Sequence, residues 1–265
     1  MLAEERRQKL LEYVRERGFV RLSDLIEELG CSESTIRRDL DYWHNLGIIK
    51  RTHGGAVYAQ HDTMPALDDR TTAMLAEKQQ IARTVASWIT PGETVLLDGG
   101  TTTLEVAKAL LGKRLNVVTN SLPVAQLYAS RPEVDLILLG GYVFPRTGVA
   151  LGPITVKMLQ DIHVHIAILS VGGMTAKGLF NSNLLLVETE RQMLRSADQV
   201  IIVADHSKIG RQAVAFLCDW SAVDVLVVDA GLSPEQRQLL ERAKVRYVLA
   251  GADSPAPPVR VEASA

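Results

Sequence analysis

Seven short runs of Val, Ile and Leu, each closing on glycine or a small polar residue, constrain this chain more than any other feature. They are "TVLLD" (94–98), "NVVTN" (116–120), "DLILLGG" (135–141), "IAILSVGG" (166–173), "VIIVAD" (200–205), "DVLVVD" (224–229) and "RYVLAG" (246–251). Most are continuous apolar runs, which fit strands buried on both faces of a parallel sheet. Helical stretches separate several of them, at 102–111, 123–130, 186–196 and 234–243. The rhythm predicts a mostly parallel, doubly wound α/β domain over residues 75–252.

Sheets of that kind take ligands beyond the carboxyl ends of their strands. Asp98-Gly99-Gly100-Thr101-Thr102, Thr119-Asn120-Ser121, Gly140-Gly141, Ser170 to Gly173 and Asp205 to Lys208 fall there. Glycines let a backbone approach a ligand closely, and a helix starting near Thr102 offers free N–H groups and its positive dipole end. A phosphate suits such a turn. Asp98, Asn120 and Glu188 can bond sugar hydroxyls, and Lys208 can pair with a phosphate or a carboxylate. There is no Walker sequence, and "DGGTTT" is not the G-x-G-x-x-G dinucleotide fingerprint. A phosphorylated sugar therefore fits better than ATP or NAD, and no cofactor is expected. Plainer roles stand beside these: Asp98 as a helix cap, Glu188 as an exposed helix residue, Asp205 closing a turn, Lys208 solvated.

The first 58 residues have a different pattern. A charged opening helix carries Leu10, Leu11 and Val14 on one side and stops at Gly18. A second, short helix with Ser23 as N-cap has Leu22, Leu25, Ile26 and Leu29 at i, i+3, i+4 and i+7, and Gly30 closes it. A third, starting near Ser32 to Ser34, puts Ile36, Leu40 and Trp43 on one face and Ser34, Arg37, Arg38, Asp41 and Asn45 on the other. That is helix-turn-helix spacing. Periodicity alone leaves a solvated bundle face equally open. "GIIKRTHGGAVYA" then reads as a hairpin, a wing carrying Lys50, Arg51, His53 and Gly54. Residues 1–58 hold ten Lys and Arg against ten Asp and Glu, so any DNA contact depends on where the positive charge is placed.

Residues 59–74, with Pro65 and an acid pair, read as a linker that gains helix toward its end. Residues 75–89 read as an amphipathic helix, with Lys78 open to a ligand or interdomain contact and solvated in the plainer reading. The tail 253–265 is rich in Pro and Ala and reads as disordered. No apolar run reaches the roughly 20 residues a bilayer span needs. Two cysteines in unrelated contexts argue against disulfides and fit a cytoplasmic protein. His163 and His165 lack a third ligand nearby, so no metal is expected, and Cys218 reads as core.

"STIRRDL" followed by "LGIIKRTHGGAV" closely resembles the N-terminal signature of the DeoR family of bacterial sugar-metabolism repressors. "LLDGGTTTLEVAKAL", "VVTNS", "LLGG", "VGGMTAKGLFNSN", "VETERQML" and "VADHSKIGR" resemble the successive blocks of that family's C-terminal sensor. The resemblance implies a winged helix-turn-helix reading DNA through Ser34, Thr35, Arg37, Arg38, Lys50, Arg51, His53 and Gly54. It also implies a sensor with a fold similar to ribose-5-phosphate isomerases. Its effector residues would be Asp98, Gly100, Thr101, Thr102, Thr119, Asn120, Gly140, Gly172, Glu188 and Lys208. Pro153 departs from the less constrained residue expected after the glycine. The expected function is a repressor of a carbohydrate operon, a homo-oligomer on double-stranded operator DNA that a phosphorylated sugar releases. The competing reading is a sugar-phosphate isomerase-like enzyme with a DNA-binding domain attached, since Asp98, Glu188, Asp205 and Lys208 could supply a base and its partner. The winged helix favours the sensor.

Overall fold

The computed structural model describes residues 3–17, 19–45, 49–52, 54–58 and 67–251. The chain divides into two compact units, Met1–Met64 and Pro65–Ala265.

The first unit runs α1 (Ala3–Arg17), β1 (Phe19–Arg21), α2 (Leu22–Leu29), α3 (Glu33–Asn45), β2 (Ile49–Thr52) and β3 (Gly55–Tyr58). Leu10, Val14, Leu25, Leu29, Ile36 and Leu40 form its core with Val20, Ile49 and Ala56 from the strands. Gly30, at φ 59, ends α2 in the left-handed conformation that glycine adopts without steric cost. Two expectations are corrected. Helix α2 starts at Leu22 and Arg21 precedes it without a side-chain cap, so Ser23 lies inside the first turn and is not the N-cap. The wing is also three-stranded, in the order β1-β3-β2, because "FVR" joins the hairpin as β1. A Cβ on Gly55 would lie 2.0 Å from the Val20 carbonyl oxygen, so this approach of β1 to β3 requires glycine at that position. Gly18, His53 and the stretch 59–66 lie outside the described residues, as does the tail from 252.

The second unit opens with α4 (Leu67–Thr72) and α5 (Leu75–Trp88). It continues β4 (Thr94–Leu97), α6 (Thr101–Ala109), β5 (Leu115–Thr119), α7 (Leu122–Tyr128), β6 (Val134–Leu138), β7 (Tyr142–Phe144), β8 (Val149–Leu151) and α8 (Pro153–Gln160). Then follow β9 (Val164–Ser170), β10 (Gly173–Thr175), β11 (Gly178–Asn181), α9 (Leu184–Arg195), β12 (Ala197–Val203), β13 (Ala215–Cys218), β14 (Val225–Val228), α10 (Pro234–Ala243) and β15 (Tyr247–Leu249). Seven strands make one all-parallel sheet in the order β15-β14-β12-β9-β4-β5-β6, and they are the seven apolar runs of the sequence. Alternate residues feed two cores. Leu96, Val118, Leu169 and Ile202 pack on one face, and Val95, Leu97, Val117 and Ile201 on the other. Chain order reverses at β4: β5 and β6 extend to one side, β9 and its successors to the other. A doubly wound sheet places its ligands at such a reversal.

Edge strand β6 differs from the expectation of strands covered on both faces, since Ile137 and Leu138 are exposed. Pro153 is the first residue of α8, behind Gly152 at φ 93. A proline's fixed φ suits that position, so the departure noted in the sequence is a regular helix start. The stretch read as a gaining linker contains α4, which packs against α6.

Candidate functional site

In the first unit, Ser34, Arg37 and Arg38 are exposed on α3, and Thr35 is half-buried beside them. Ser32 Oγ lies 3.1 Å from Ser34 Oγ and 2.9 Å from Thr35 Oγ1, a hydroxyl cluster at the helix start. Hydroxyls and backbone N–H groups at a helix start are common partners of DNA phosphates. Arg37 is steadied by Glu33, to which its guanidinium donates at 2.6 and 2.9 Å. Arg51 pairs with Asp41 and so ties the wing to α3. Gly54 is exposed at the wing's turn, and Lys50 stands in β2 opposite Val57. The Lys50 side chain and all of His53 lie outside the described residues.

Asp39, inside "STIRRDL", had no role in the sequence reading, yet it is 1% exposed. Arg6 Nε donates to its Oδ2 at 2.6 Å and Arg7 Nε to its Oδ1 at 2.9 Å, which clamps α1 to α3. The signal was present in the periodicity. Asp39 shares the i, i+3, i+4, i+7 face of Ile36, Leu40 and Trp43, where a charge must find a partner.

In the second unit, Asp98, Gly100, Thr101 and Thr102 follow β4, and Thr119 and Asn120 close β5. Gly172 follows β9 and Lys208 lies beyond β12. All stand at carboxyl ends of the parallel sheet, on both sides of the reversal at β4. The α6 N-cap is Gly100, not Asp98. Gly100 N donates to Thr103 Oγ1 at 2.7 Å, and that hydroxyl donates back to Gly100 O at 2.8 Å. The two glycines of "DGG" serve packing. A Cβ on Gly99 would lie 1.8 Å from Val149 Cγ1, and one on Gly100 1.7 Å from Ser170 Oγ. This is a reason for glycine that the sequence did not show, beside the expected room for a ligand.

Asp98 is buried, and burial pushes its carboxyl up to about 6, partly offset by backbone hydrogen bonds at Gly99 and Ser170 and by the charge of Arg70. Three cations act on one another here, and Arg70 among them also acts on Asp98. Arg70 comes from α4, Lys78 from α5, and Lys208 from the turn after β12. Burial lowers the pKa of each. Lys78 and Lys208 are lowered further by Arg70, and Lys78 by Lys208, while Asp205 raises both lysines. Lys78 was expected in solvent. It is 4% exposed instead, with Nζ donating to the carbonyls of Arg70 and Ala73. An anion relieves repulsion among such cations, and Asp205 already supplies part of that relief to both lysines.

Two buried acceptors of this unit, on Asn120 and Glu190, lack a protein donor. Asn120 is fully buried, its Nδ2 donating to Ala150 O at 3.0 Å while Oδ1 has no protein partner. Glu190 takes 2.5 Å donation from Asn181 Nδ2 on Oε1, and its Oε2 has none. Burial, then the neighbouring Asp98, raise the Glu190 carboxyl well above the usual range. Glu188, the acid the sequence favoured, is exposed on α9, and Gly140 is exposed beyond β6. The buried face of α9 runs Leu186, Val187, Glu190 and Met193, a period that singles out Glu190.

Other candidates resolve simply. His163 Nε2 pairs with Asp198 at 2.8 Å, and His165 Nδ1 accepts from Thr94 N at 3.1 Å. Among the described residues no group of three or more His, Cys, Asp or Glu could hold a metal, and no helix is long and apolar enough to cross a membrane. Cys218 packs half-buried against the core.

A winged helix-turn-helix followed by a doubly wound sheet with buried charges at its strand ends defines a DNA-binding transcription regulator with a sensor domain. Residues 6–62 match the DeoR-like helix-turn-helix domain, and residues 73–230 match the DeoR C terminal sensor domain. The chain belongs to the DeoR family. It is 34% identical over 228 residues to the glycerol-3-phosphate regulon repressor of Escherichia coli (strain K12), covering 85% of this chain and 90% of that one. It is 32% identical over 251 residues to the transcriptional repressor AccR of Agrobacterium fabrum, covering 93% and 97%. Similar solved structures include ribose 5 phosphate isomerase A from Neisseria gonorrhoeae, with a TM-score of 0.36, 15% identity and coverage of 54% and 55%. The chain is a regulator and not an enzyme.

Proposed function

We propose that this regulator represses a carbohydrate-metabolism operon and leaves its operator when a phosphorylated sugar binds at the carboxyl ends of β4, β5, β9 and β12. The observation that carries the reading is the combination of three mutually repelling cations with a buried acceptor, Asn120 Oδ1, lacking a protein donor. A phosphate answers the cations and the N–H groups at the start of α6. Sugar hydroxyls answer Asn120, Asp98 and Glu190. A relative named for a glycerol-3-phosphate regulon supports the same ligand class.

On DNA, α3 enters the major groove with Ser34, Thr35, Arg37 and Arg38, and the wing brings Lys50, Arg51, His53 and Gly54 to the backbone. The protein acts in the cytoplasm as a homo-oligomer, at least a dimer, on half-sites about one helical turn apart. The ligand must bind one conformation better than the other, since equal affinity would shift nothing.

Two substitutions test both ends. Arg37→Ala is expected to weaken binding to operator DNA by about 1–3 kcal/mol, read by fluorescence anisotropy. Thr101→Val is expected to weaken binding of the effective sugar phosphate about tenfold in titration calorimetry while DNA affinity stays as in wild type. Unchanged DNA affinity in the first removes α3 from the groove. Unchanged ligand affinity in the second removes the phosphate from the α6 turn.

A further inference from the structure

We infer that the open edge of the parallel sheet, strand β6 flanked by β7 and the start of α8, joins a second copy of this chain by antiparallel β6–β6 pairing about a twofold axis. The inference rests on the homo-oligomer reading above and names the face that makes the assembly.

The two edges of the seven-stranded sheet differ. Strand β15 has three half-buried residues and follows Lys244 and Arg246. A short edge flanked by charge resists pairing with another strand. Strand β6 has five residues, none of them Pro, Lys or Arg, and Ile137 and Leu138 are 47% and 42% exposed. Leu139 N donates to Thr119 O at 2.8 Å. N–H directions alternate along a strand, so those of Leu136 and Leu138 point away from β5, where no strand lies among the described residues. Thr155 Oγ1 donates to Gly140 O at 2.7 Å, which seats the start of α8 beside the end of β6. Tyr142, Val143 and Ile154, at 59%, 39% and 64% exposure, continue the apolar surface there.

Area and charge identify the occupant. These five side chains expose about 450 Å², more than half of the about 800 Å² that each partner gives to a standard interface. A register centred on Ile137 sets Leu136 against Leu138 of the second copy, so both outward N–H groups find carbonyls. The exposed charges lie at opposite ends of the edge. Asp135 is near the amino end of β6. Lys157 shares the exposed face of α8 with Ile154, and its neighbour Met158 accepts from Gly140 N on Sδ at 3.3 Å, beside the carboxyl end. Antiparallel pairing therefore brings Asp135 of each copy toward Lys157 of the other, whereas parallel pairing would stack like charges. A second exposed apolar group, Leu184, Leu185, Val214 and Phe216, offers no comparable edge, because Arg191 donates to the Leu217 and Phe216 carbonyls of β13 at 2.9 and 2.6 Å.

The test uses the full chain in gel filtration coupled to light scattering. Wild type should give at least twice the 29.0 kDa of one chain. Ile137→Lys sets two ammonium groups face to face at the axis. It should halve the wild-type mass at equal concentration, with dissociation at least about 100-fold easier. Asp135→Lys and Lys157→Asp should each weaken assembly about tenfold alone, and an equimolar mixture of the two should assemble as wild type does, since every Lys then meets an Asp. Misfolded chains could not recover on mixing. The amides of Leu136 and Leu138 should exchange with solvent at least about tenfold more slowly in wild type than in Ile137→Lys. Wild-type mass in Ile137→Lys overturns the β6 face and leaves the homo-oligomer reading standing. Charge variants that stay assembled alone, or fail to reassemble when mixed, overturn the antiparallel arrangement. A wild type with the mass of one chain overturns the homo-oligomer reading, and this inference falls with it; slow exchange at Leu136 and Leu138 in that monomer would mean that its own chain covers the edge.

Discussion

Asp39→Ala should abolish DNA binding while the sensor keeps its ligand. Asp39 is buried against two arginines that retain an outlet to water, Arg6 at 15% and Arg7 at 32% exposure. Removing one member of a buried ion pair costs about 3–5 kcal/mol, and partial solvation of the arginines puts this case at about 3. A unit of this size has a total stability of only about 3–9 kcal/mol, at roughly 0.05–0.15 per residue. The loss is therefore of the order of the whole. The helix clamp between α1 and α3 would open, and α3 would no longer be presented as a rigid reading face. Thermal melting followed by circular dichroism should show an early transition from the N-terminal unit. Asp39→Asn should lose most of the same stability, because it keeps the shape and removes the charge. A variant that melts and binds DNA as the wild type does would show that Arg6 and Arg7 contribute nothing to holding α1.

The second large effect is a pH dependence centred on Asp98. Its carboxyl rises from the ordinary 3.8 to about 6 in the folded chain, chiefly through burial. The folded state thus holds a proton that the unfolded chain gives up. The sign follows: the contribution is complete below about pH 3.8 and is lost as pH rises through 6. At 1.36 kcal/mol for each pH unit its size is about 3 kcal/mol. Glu190 is raised as well, partly by Asp98, while Arg70 works the other way by favouring the Asp98 carboxylate. Asp98→Asn removes both the titration and the repulsion of Glu190. About 2 kcal/mol of this falls between pH 4.5 and 7.5, so its melting temperature relative to wild type should climb over that range by about 4–8 °C at 2–4 °C per kcal/mol. A constant gap between the two proteins over that range would mean that Asp98 ionises as freely in the fold as outside it.

The sequence made the parallel sheet legible because burial on both faces leaves a plain compositional trace. Each of the seven apolar runs became a strand of one sheet, and each carboxyl end stood where ligands are expected. The short antiparallel pieces left no such trace. Strands β7, β8 and β10 have three residues each, too few for alternation to register, and β1 was hidden because "FVR" precedes a helical stripe. The places of the candidate residues were legible where backbone position decides and not where side-chain direction decides. Asp98, Thr119 and Asn120 follow from strand ends. Glu190 required asking which face of α9 is buried, and the choice of Glu188 overlooked that Leu186, Val187 and Met193 set that face. Lys78 looked solvated because a lone lysine usually is. Only the fold brings the carbonyls of Arg70 and Ala73 to its ammonium group.

The most direct measurement is the fluorescence anisotropy of DNA from upstream of this protein's own gene, titrated with wild-type protein against a scrambled competitor. Sugar phosphates and their unphosphorylated parents are then added in turn. Specific binding reversed by at least one phosphorylated sugar, and left intact by its parent sugar, is the expected result. Specific binding that no phosphorylated compound moves, or that the parent sugars reverse equally well, would contradict a phosphate-sensing repressor.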